Sequence, residues 1–260
     1  MTRFAPVAPL PLLQSLWNHD QNQHMHHGSY HLLLAHDIIA SIHNRNEYRA
    51  HFEKVRDWFQ DCTIIMDNSI VELGDAVDMW LVAAAAEVVH ADVMVLPDVM
   101  GSGKRSLKLF NDTISKGLPR GNYQYMAVPQ GPTISDFATC LEEYSQHEYI
   151  TWIGIPRIAT QQLGSRRQLI QMATMIKPEW RLHLLGFSDN VVDDMLCAAA
   201  GVCEGIDSAV PVRAGQRNIP FCLAESDYGK RGDYWESKKH TLQALKNIKY
   251  VRDLIGETES

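Results

Sequence analysis

The 260-residue sequence lacks the features that mark membrane, secreted or disordered proteins. Its longest apolar stretch, MWLVAAAAEVV from Met79, is interrupted by Glu87 and is too short to cross a bilayer, so we expect no membrane segment. The N-terminus has no clean apolar core followed by a small-residue cleavage site, so we expect no signal peptide. With 45% hydrophobic and 21% charged residues, the composition is typical of a globular protein.

Paired cysteines are also missing. The five cysteines are scattered and form no CxxC pair, which predicts free thiols in a reducing cytoplasm and argues against a structural zinc site. A histidine-rich stretch, HDQNQHMHHGSYH from His19, has no cysteine or acid arranged with its histidines. We interpret it as a polar surface loop, and we expect neither a metal ion nor a cofactor.

A basic excess, which is common in nucleic-acid-binding proteins, is absent from the whole chain, whose net charge is −7. The charge is uneven, however. Residues 213–252 hold nine Lys and Arg against four Asp and Glu, a net charge of nine minus four, or +5. This segment fits either a face that contacts phosphates or a solvated helix of mixed charge.

Short apolar runs alternate with helical patterns along the chain. After a first strand near Phe4–Leu10, seven runs begin at Tyr30, Cys62, Ala91, Tyr123, Tyr149, Trp180 and Cys203. The helices between them are predicted over Glu47–Gln60, Ala76–His90, Lys104–Lys116, Ile134–His147, Gln161–Ile176 and Asn190–Ala200. Predicted N-caps are Asp75, Ser102, Thr133 and Ser188.

The apolar runs are nearly continuous, as expected for parallel strands buried on both faces. Eight βα units in about 250 residues predict an α/β fold, a (β/α)8 TIM-type barrel. We expect one domain over residues 1–260, with the barrel at about 3–215 and a helical extension at about 216–256. A doubly wound open sheet is the alternative, although the sequence has no Gly-rich dinucleotide fingerprint.

Polar residues follow the apolar residues of these strands: Asp67, Asn68, Asp98, Gln130, Arg157, Ser188 and Asp207. Successive ends lie about one βα unit apart, with 31 residues from Asp67 to Asp98, 32 from there to Gln130 and 27 more to Arg157. A single acid at a strand end is usually a turn or cap residue. Several polar ends on one rim favour acid–base and nucleophilic chemistry, or recognition of a donor-rich ligand.

The stretch VMGSGKRS is similar to a phosphate-binding loop but does not satisfy the pattern. Asp98 stands where the first Gly is needed, and Arg105 follows Lys104 where Ser or Thr is needed. We therefore expect no nucleoside triphosphate site. Lys104 and Arg105 are expected at the start of a rim helix, where they could contact phosphates.

Taken in order, six segments resemble motifs of the tRNA-guanine transglycosylase superfamily. They cover roughly Thr63 to Gly215 and are TIIMDNSIVELG, ADVMVLPDVMG, MAVPQG, WIGIPR, LHLLGFS and GIDSAVPVRAG. The first stands where the family has a strand ending in Asp-Ser-Gly-Gly. The last resembles a shortened form of the family's final strand motif, in which an Asp precedes a Pro and an Arg.

The resemblance implies a role for each matching residue. Asp207 would be the nucleophile that attacks the sugar carbon C1′, and Asp67 would be the general acid and base. The base would be bound by Asp98, Gln130, Gly131, Gly154 and Asn68. Apart from the resemblance, the position of the basic residues on the rim and in the basic segment leads us to expect contacts to phosphates or other parts of the nucleic acid from Arg213, Arg157, Lys104, Arg105, Lys238 and Lys239.

The sequence departs from the family's tRNA enzymes after Gly215. Those enzymes carry a Cys/His zinc subdomain there, whereas this chain has a single cysteine, Cys222, and a basic helix. A barrel lacking the zinc subdomain, with a C-terminal basic helix, is more similar to paralogues from bacteria and phages that insert 7-deazaguanines into DNA. The implied location is the cytoplasm of a bacterium or of an infected host cell.

The expected partners are therefore nucleic acid, with DNA favoured over tRNA, and a free 7-deazaguanine base such as 7-cyano-7-deazaguanine. A homodimer or a helper protein is left open. Two other functions also stay open: an enzyme acting on tRNA or a free nucleoside, and a non-catalytic nucleic-acid-binding subunit. Retention of both Asp67 and Asp207 argues against the non-catalytic subunit, and a generic TIM-barrel lyase or isomerase is the outside option.

Overall fold

The computed structural model describes residues 1–22, 30–44, 47–59, 61–223 and 241–257, in which eight strands alternate with twelve helices. The strands are β1 Arg3–Pro6, β2 Tyr30–Leu34, β3 Thr63–Asp67, β4 Val93–Val95, β5 Gln124–Ala127, β6 Ile150–Pro156, β7 Arg181–Leu185 and β8 Gly205–Ser208. The helices are α1 Leu10–Asn22, α2 Ala35–Asn44, α3 Glu47–Trp58, α4 Ile70–Leu73, α5 Met79–Val88, α6 Gly103–Ser115, α7 Ile134–Ser145, α8 Arg157–Leu163, α9 Arg166–Ile176, α10 Val191–Ala199, α11 Val210–Gln216 and α12 Thr241–Leu254.

The strands form one parallel sheet in the order β1-β8-β7-β6-β5-β4-β3-β2. The pairing of β1 with β8 brings the first and last strands together, and β1 also lies beside β2. The sheet is thus a nearly closed barrel surrounded by helices. The predicted (β/α)8 fold is confirmed, and the open doubly wound sheet is wrong.

Most of the strand residues are buried on both faces of the sheet, which explains the nearly continuous apolar sequences. In β2, for example, Leu32 and Leu34 pack inside the barrel, while Leu33 packs outward against the helices. In β3, Ile65 points inward between Ile64 and Met66, which point outward. This alternation means that the residue at each strand end is directed either into the barrel mouth or toward a helix.

β1 and β2, which form the seam of the barrel, are not paired by backbone hydrogen bonds. A side chain supplies a hydrogen bond at this seam instead. Arg3 and Val7 direct their N–H groups to carbonyls near β8, so the N–H of Phe4 faces the other side of β1. That N–H donates to the buried Glu257 carboxylate, at 2.8 Å. Pro6, the remaining residue on that side, has no N–H. Neither Phe4 nor Pro6 is therefore left with an unpaired backbone N–H on this side of β1.

The ends of several helices differ from the prediction. Asp78, rather than Asp75, caps α5 by accepting from the Trp80 N–H, and Asn190, rather than Ser188, caps α10. The caps at Ser102 and Thr133 are confirmed. The helix predicted over 161–176 is two helices, α8 and α9, because the chain turns at Gly164 with a φ of +114°.

The C-terminal helix α12 belongs to the packed core on one side and to the surface on the other. Ala244, Ile248 and Val251 are buried in the main apolar cluster, and the helix packs against α11 and α1. Lys246 and Lys249 are exposed. This is the predicted C-terminal basic helix, although Lys238 and Lys239 lie outside the described residues.

The histidine-rich stretch does not form one loop. His19 lies in α1 and His31 lies in β2, whereas His24, His26 and His27 fall outside the described residues. All five cysteines are free thiols, as expected. In the part of the chain that the structure describes, no helix has both the length and the apolar character that a membrane span requires.

Candidate active site

A cavity of about 270 Å³ opens at the end of the barrel where the strands reach their carboxyl ends. All eight strands contribute to its wall, from Val7 after β1 to Ser208 at the end of β8. This face is where parallel barrels carry their active sites. Seven of the residues singled out from the sequence lie in the wall: Asp67, Asn68, Asp98, Gln130, Arg157, Asp207 and Arg213.

The inner wall is largely apolar and the polar groups are few. Leu32, Leu34, Val95 and Val128 line the interior, and the exposed side chain of Met100 stands among the lining residues. Such a surface, with a small number of oriented polar groups, is typical of sites that bind a small flat molecule.

Asp207 lies next to the last residue of β8, and its side chain reaches the cavity while remaining almost fully buried. Its Oδ1 atom accepts a hydrogen bond from the backbone N–H of Gly186, at 3.1 Å, and lies 3.0 Å from Nε2 of His183. The carboxylate is therefore held from β7, the strand next to β8.

His183 and Tyr30 are site residues that the sequence analysis missed. The Tyr30 hydroxyl lies 2.7 Å from Nδ1 of His183, and both residues are fully buried inside the barrel. The available signal was a polar residue within each apolar strand, YHLLL and RLHLL. Their partnership could not be inferred, because 153 residues separate them along the chain.

Asp98 is fixed by two side-chain amides. Asn68 donates to its Oδ1 at 2.8 Å, and Gln130 donates to its Oδ2 at 2.7 Å. Burial raises the pKa of Asp98 to about 6, against the opposing effect of these two hydrogen bonds. The carboxylate thus has a defined orientation in the cavity wall and retains lone pairs for further donors.

The two side-chain amides that bind Asp98 also form hydrogen bonds with the backbone. Asn68 also donates to the carbonyl of Leu96, at 2.9 Å, and Oε1 of Gln130 accepts from the N–H of Gly101, at 3.0 Å. Both hydrogens of the Asn68 amide are therefore used within the protein. Asn68, predicted to bind the base, therefore also orients Asp98, and Gln130 holds the other oxygen of the same carboxylate.

Asp67 lies at the end of β3, with its side chain in the cavity wall. Burial, followed by the nearby Glu72 carboxylate, raises its pKa to about 8. Asp207 and Asp98 also contribute to this rise, which shows that the three carboxyl groups share one electrostatic environment. Asp67 is therefore mostly protonated at neutral pH and can act as a proton donor.

The backbone after Asp67 adopts an unusual conformation. Ser69 has a φ of +61°, in the left-handed region that favours glycine, and its N–H donates to Oδ2 of Asp67 at 2.8 Å. The turn after β3 therefore has serine at a position whose backbone conformation favours glycine.

The two glycines predicted to bind the base lie outside the cavity wall. A side chain at Gly154 would meet Leu185, a wall residue, at 2.7 Å, so the glycine makes room for that leucine. Gly131 has a φ of +150° and lies against Asp136 at the start of α7. Gly154 thus lies next to a wall residue, and Gly131 lies beside the start of α7.

The predicted cations divide into two groups. Arg157, at the start of α8, and Arg213, in α11, belong to the cavity wall. Lys104 and Arg105 lie in the first turn of α6, exposed and outside the wall. Of these four described cations, Arg157 and Arg213 therefore line the cavity, while Lys104 and Arg105 face solvent at the same end of the barrel.

A buried ion pair between Arg166 and Asp194 lies behind the cavity wall. It was not predicted from the sequence. The guanidinium of Arg166 donates to the carbonyls of Ile155, Leu185 and Gly186. Its Nε lies 3.2 Å from the carboxylate of Asp194. Ser188, predicted as a rim residue, donates from its hydroxyl to Asp194 at 3.0 Å. This network joins the ends of β6 and β7, including the Gly186 that donates to Asp207.

Within the described ranges, no group of three or more His, Cys, Asp or Glu side chains is arranged to hold a metal ion. No protein-family model and no curated protein matches this chain. The residues of the cavity supply a fixed carboxylate, a protonated carboxyl group and an amide-held acceptor around one small, largely apolar space.

Proposed function

We propose that the protein is a base-exchange transglycosylase that replaces guanine in DNA with a 7-deazaguanine, such as 7-cyano-7-deazaguanine. The observation that carries the proposal is the pairing of two carboxyl groups with different surroundings in one cavity. Asp207 is held by hydrogen bonds from β7 and the residue that follows it, whereas burial and Glu72 raise the pKa of Asp67 to about 8. The ordered resemblance of six segments to the transglycosylase superfamily supports the same reaction.

In the first half of the reaction, an oxygen of Asp207 attacks C1′ of the target nucleotide. The bond from C1′ to the glycosidic nitrogen of guanine breaks, and its electron pair goes to that nitrogen. Asp67 then donates its proton to the leaving base, because the raised pKa keeps it protonated at neutral pH. The product is a covalent ester between Asp207 and the sugar, as in retaining glycosidases.

In the second half, the incoming 7-deazaguanine occupies the same cavity. Its glycosidic nitrogen loses a proton to Asp67, which is now a carboxylate, and attacks C1′. The bond from C1′ to Asp207 breaks, and its electrons return to the carboxylate. Protons and charges balance over the two halves, and no oxidant, reductant or further reactant is needed.

Asp98 selects the base. Guanine and 7-deazaguanine both present an N1–H and a 2-amino group on one edge, and an ionised carboxylate is the acceptor that matches two adjacent donors. Asn68 and Gln130 hold Asp98 in one orientation, so little ordering is left to occur on binding. The remaining amide hydrogen of Gln130 is available to an acceptor on the same base.

The polymer is proposed to be DNA because the sequence after Gly215 has one cysteine and so differs from the zinc subdomain of the family's tRNA enzymes. The target nucleotide must leave its stack to reach a cavity of this size. Arg157 and Arg213 in the wall are placed to contact the phosphates beside it.

The test is incorporation of the modified base. The protein is incubated with 7-cyano-7-deazaguanine and either guanine-containing DNA, tRNA or free nucleoside, and the digested products are analysed by mass spectrometry. We expect the modified nucleoside in DNA and none with Asp207→Asn. The matched control is Asp112→Asn, which replaces an exposed acid on α6 and should retain incorporation.

The two polymer arms and the nucleoside arm separate the alternatives. Incorporation into tRNA alone would replace DNA as the substrate and keep the reaction. Loss of incorporation in all arms, together with binding of nucleic acid, would favour the non-catalytic subunit and overturn the proposal.

A further inference from the structure

A line of polar groups crosses the otherwise apolar interior of the barrel and ends at Asp207. It runs from Tyr30 in β2 to His183 in β7 and then to Asp207 in β8. We propose that Tyr30 and His183 are positioning residues that hold Oδ1 of Asp207 and leave Oδ2 as the attacking oxygen. This inference deepens the proposed function and rests on it.

Both contacts in this line of polar groups are within hydrogen-bonding distance. The Tyr30 oxygen lies 2.7 Å from Nδ1 of His183, and Nε2 of the same ring lies 3.0 Å from Oδ1 of Asp207. Both distances are those of good hydrogen bonds. Tyr30 and His183 have no exposed surface, so water does not compete for either group.

The direction of the hydrogen bonds follows from what each group can do. A carboxylate only accepts, so the ring nitrogen that faces Asp207 must carry the hydrogen. In the neutral imidazole, Nδ1 is then an acceptor, and the Tyr30 hydroxyl donates to it. Burial raises the pKa of Tyr30 well above its ordinary value, which keeps this hydroxyl protonated. The tyrosine therefore selects the tautomer that can donate to Asp207.

The strand that carries Asp207 is shaped around this tyrosine. A side chain at Gly205, two residues before Asp207, would lie 2.2 Å from a carbon of the Tyr30 ring. Arg3 also covers the ring, with its guanidinium carbon 4.6 Å from the ring centre. Tyr30 is therefore confined on two sides, and the hydroxyl has a fixed place beneath His183.

The two oxygens of Asp207 end up in different states. Oδ1 has two donors, the ring of His183 and the N–H of Gly186. Among the residues that the structure describes, none donates a hydrogen bond to Oδ2. An oxygen without donors is the better nucleophile, and a carboxylate that cannot rotate keeps it aimed at one point. A misplacement of about 1 Å can cost about 100-fold in rate, so this orientation bears directly on the attack.

Two measurements test the inference, and the first does not depend on activity. In protein labelled with ¹⁵N-histidine, the spectrum should show His183 with a hydrogen on Nε2 and none on Nδ1. The signal is assigned by its loss in His183→Gln. A ring with the hydrogen on Nδ1 and a bare Nε2 would overturn the proposed line of hydrogen bonds.

The second measurement is the single-turnover rate of covalent adduct formation with guanine-containing DNA. His183→Leu, which removes the donor, should slow the adduct about 100-fold. His183→Gln places an amide donor at a similar reach and should recover at least about tenfold of that loss. Tyr30→Phe should slow the adduct about tenfold. The KM for the free base should not change, because Asp98 and Gln130 bind it.

The protein contains its own matched control. On the surface at the opposite end of the barrel, the Tyr149 hydroxyl lies 3.0 Å from Nδ1 of His147, with no role in the cavity. His147→Gln should leave the adduct rate unchanged. If His183→Leu is folded, by its melting temperature, and forms the adduct at the rate of the unsubstituted protein, the inference fails.

The variants also separate this inference from the proposed function. If the unsubstituted protein forms no adduct with DNA or tRNA, the proposed function fails, and the histidine spectrum still decides whether the hydrogen-bond line exists. If the adduct forms but neither His183→Gln nor Tyr30→Phe differs from the unsubstituted protein, the function stands and the positioning role is rejected. The two conservative variants keep this comparison valid should His183→Leu not fold.

Discussion

Asp67 and Asp98 lie in one cavity wall but differ in the number of donors that reach them. Asp98 accepts hydrogen bonds from two side-chain amides, whereas Asp67 accepts from the backbone N–H of Ser69. Burial raises the pKa of both, to about 6 for Asp98 and about 8 for Asp67. The donors favour the ionised form of Asp98, and the Glu72 carboxylate disfavours that of Asp67. The two acids are thus suited to different tasks at neutral pH.

A pH dependence follows for the release of guanine in a single turnover. Recognition needs Asp98 ionised, so the rate should rise as the pH increases through about 6. Proton donation needs Asp67 protonated, so the rate should fall as the pH increases through about 8. The result is a bell-shaped profile with its plateau between these values. Rates measured from pH 5 to pH 9 in rapid-quench experiments check it.

Asp67→Asn provides the control for the basic limb of that profile. The variant should be much slower and should lose the decline above pH 8, since asparagine does not titrate. A flat profile in the unsubstituted protein, or an unchanged basic limb in the variant, would contradict the role assigned to Asp67.

At the scale of the elements, the seam between β1 and β2 shows how the barrel closes. The N–H of Phe4 would have no strand partner on this side and instead donates to Glu257, which follows α12. Glu257 is buried and also approaches Arg252, with a distance of 4.0 Å between Nε and Oε2. The last helix therefore fastens the first strand, although the two are at opposite ends of the sequence.

Glu257→Ala should lower the free energy of unfolding by about 1–3 kcal/mol, because a buried donor loses its acceptor. Glu257→Gln keeps an oxygen in place and should lose less. Glu179→Ala, at an exposed position, should stay within about 0.5 kcal/mol of the unsubstituted protein. Urea denaturation measures all three. Equal stability of the alanine variant and the unsubstituted protein would show that the seam does not need this acceptor.

At the scale of the whole molecule, periodicity was sufficient to predict the barrel and the face that carries the cavity. Continuous apolar runs mean strands buried on both faces, and their even spacing means repeated βα units. The end of each run then gave Asp67, Asp98, Gln130 and Asp207, which share one cavity wall. The roles assigned to them by resemblance remain predictions.

The buried polar pairs form only when the barrel closes and brings distant elements together. Local sequence patterns could not predict them. Tyr30 with His183, and Arg166 with Asp194, are buried polar pairs contributed by different elements. A polar residue in an apolar run indicates that a partner exists, but only the three-dimensional structure identifies it. Likewise, Ser69 has a positive φ, which a serine in the sequence does not predict.

The central claim is that Asp207 forms a covalent bond with the sugar, and trapping that bond tests it most directly. The protein is mixed with a guanine-containing oligonucleotide, quenched in denaturant and digested, and the peptide that contains Asp207 is analysed by mass spectrometry. The account predicts one added sugar–phosphate fragment on Asp207, dependent on a guanine in the oligonucleotide, and none in Asp207→Asn. Base exchange without this adduct, or an adduct on Asp67 instead, would contradict it.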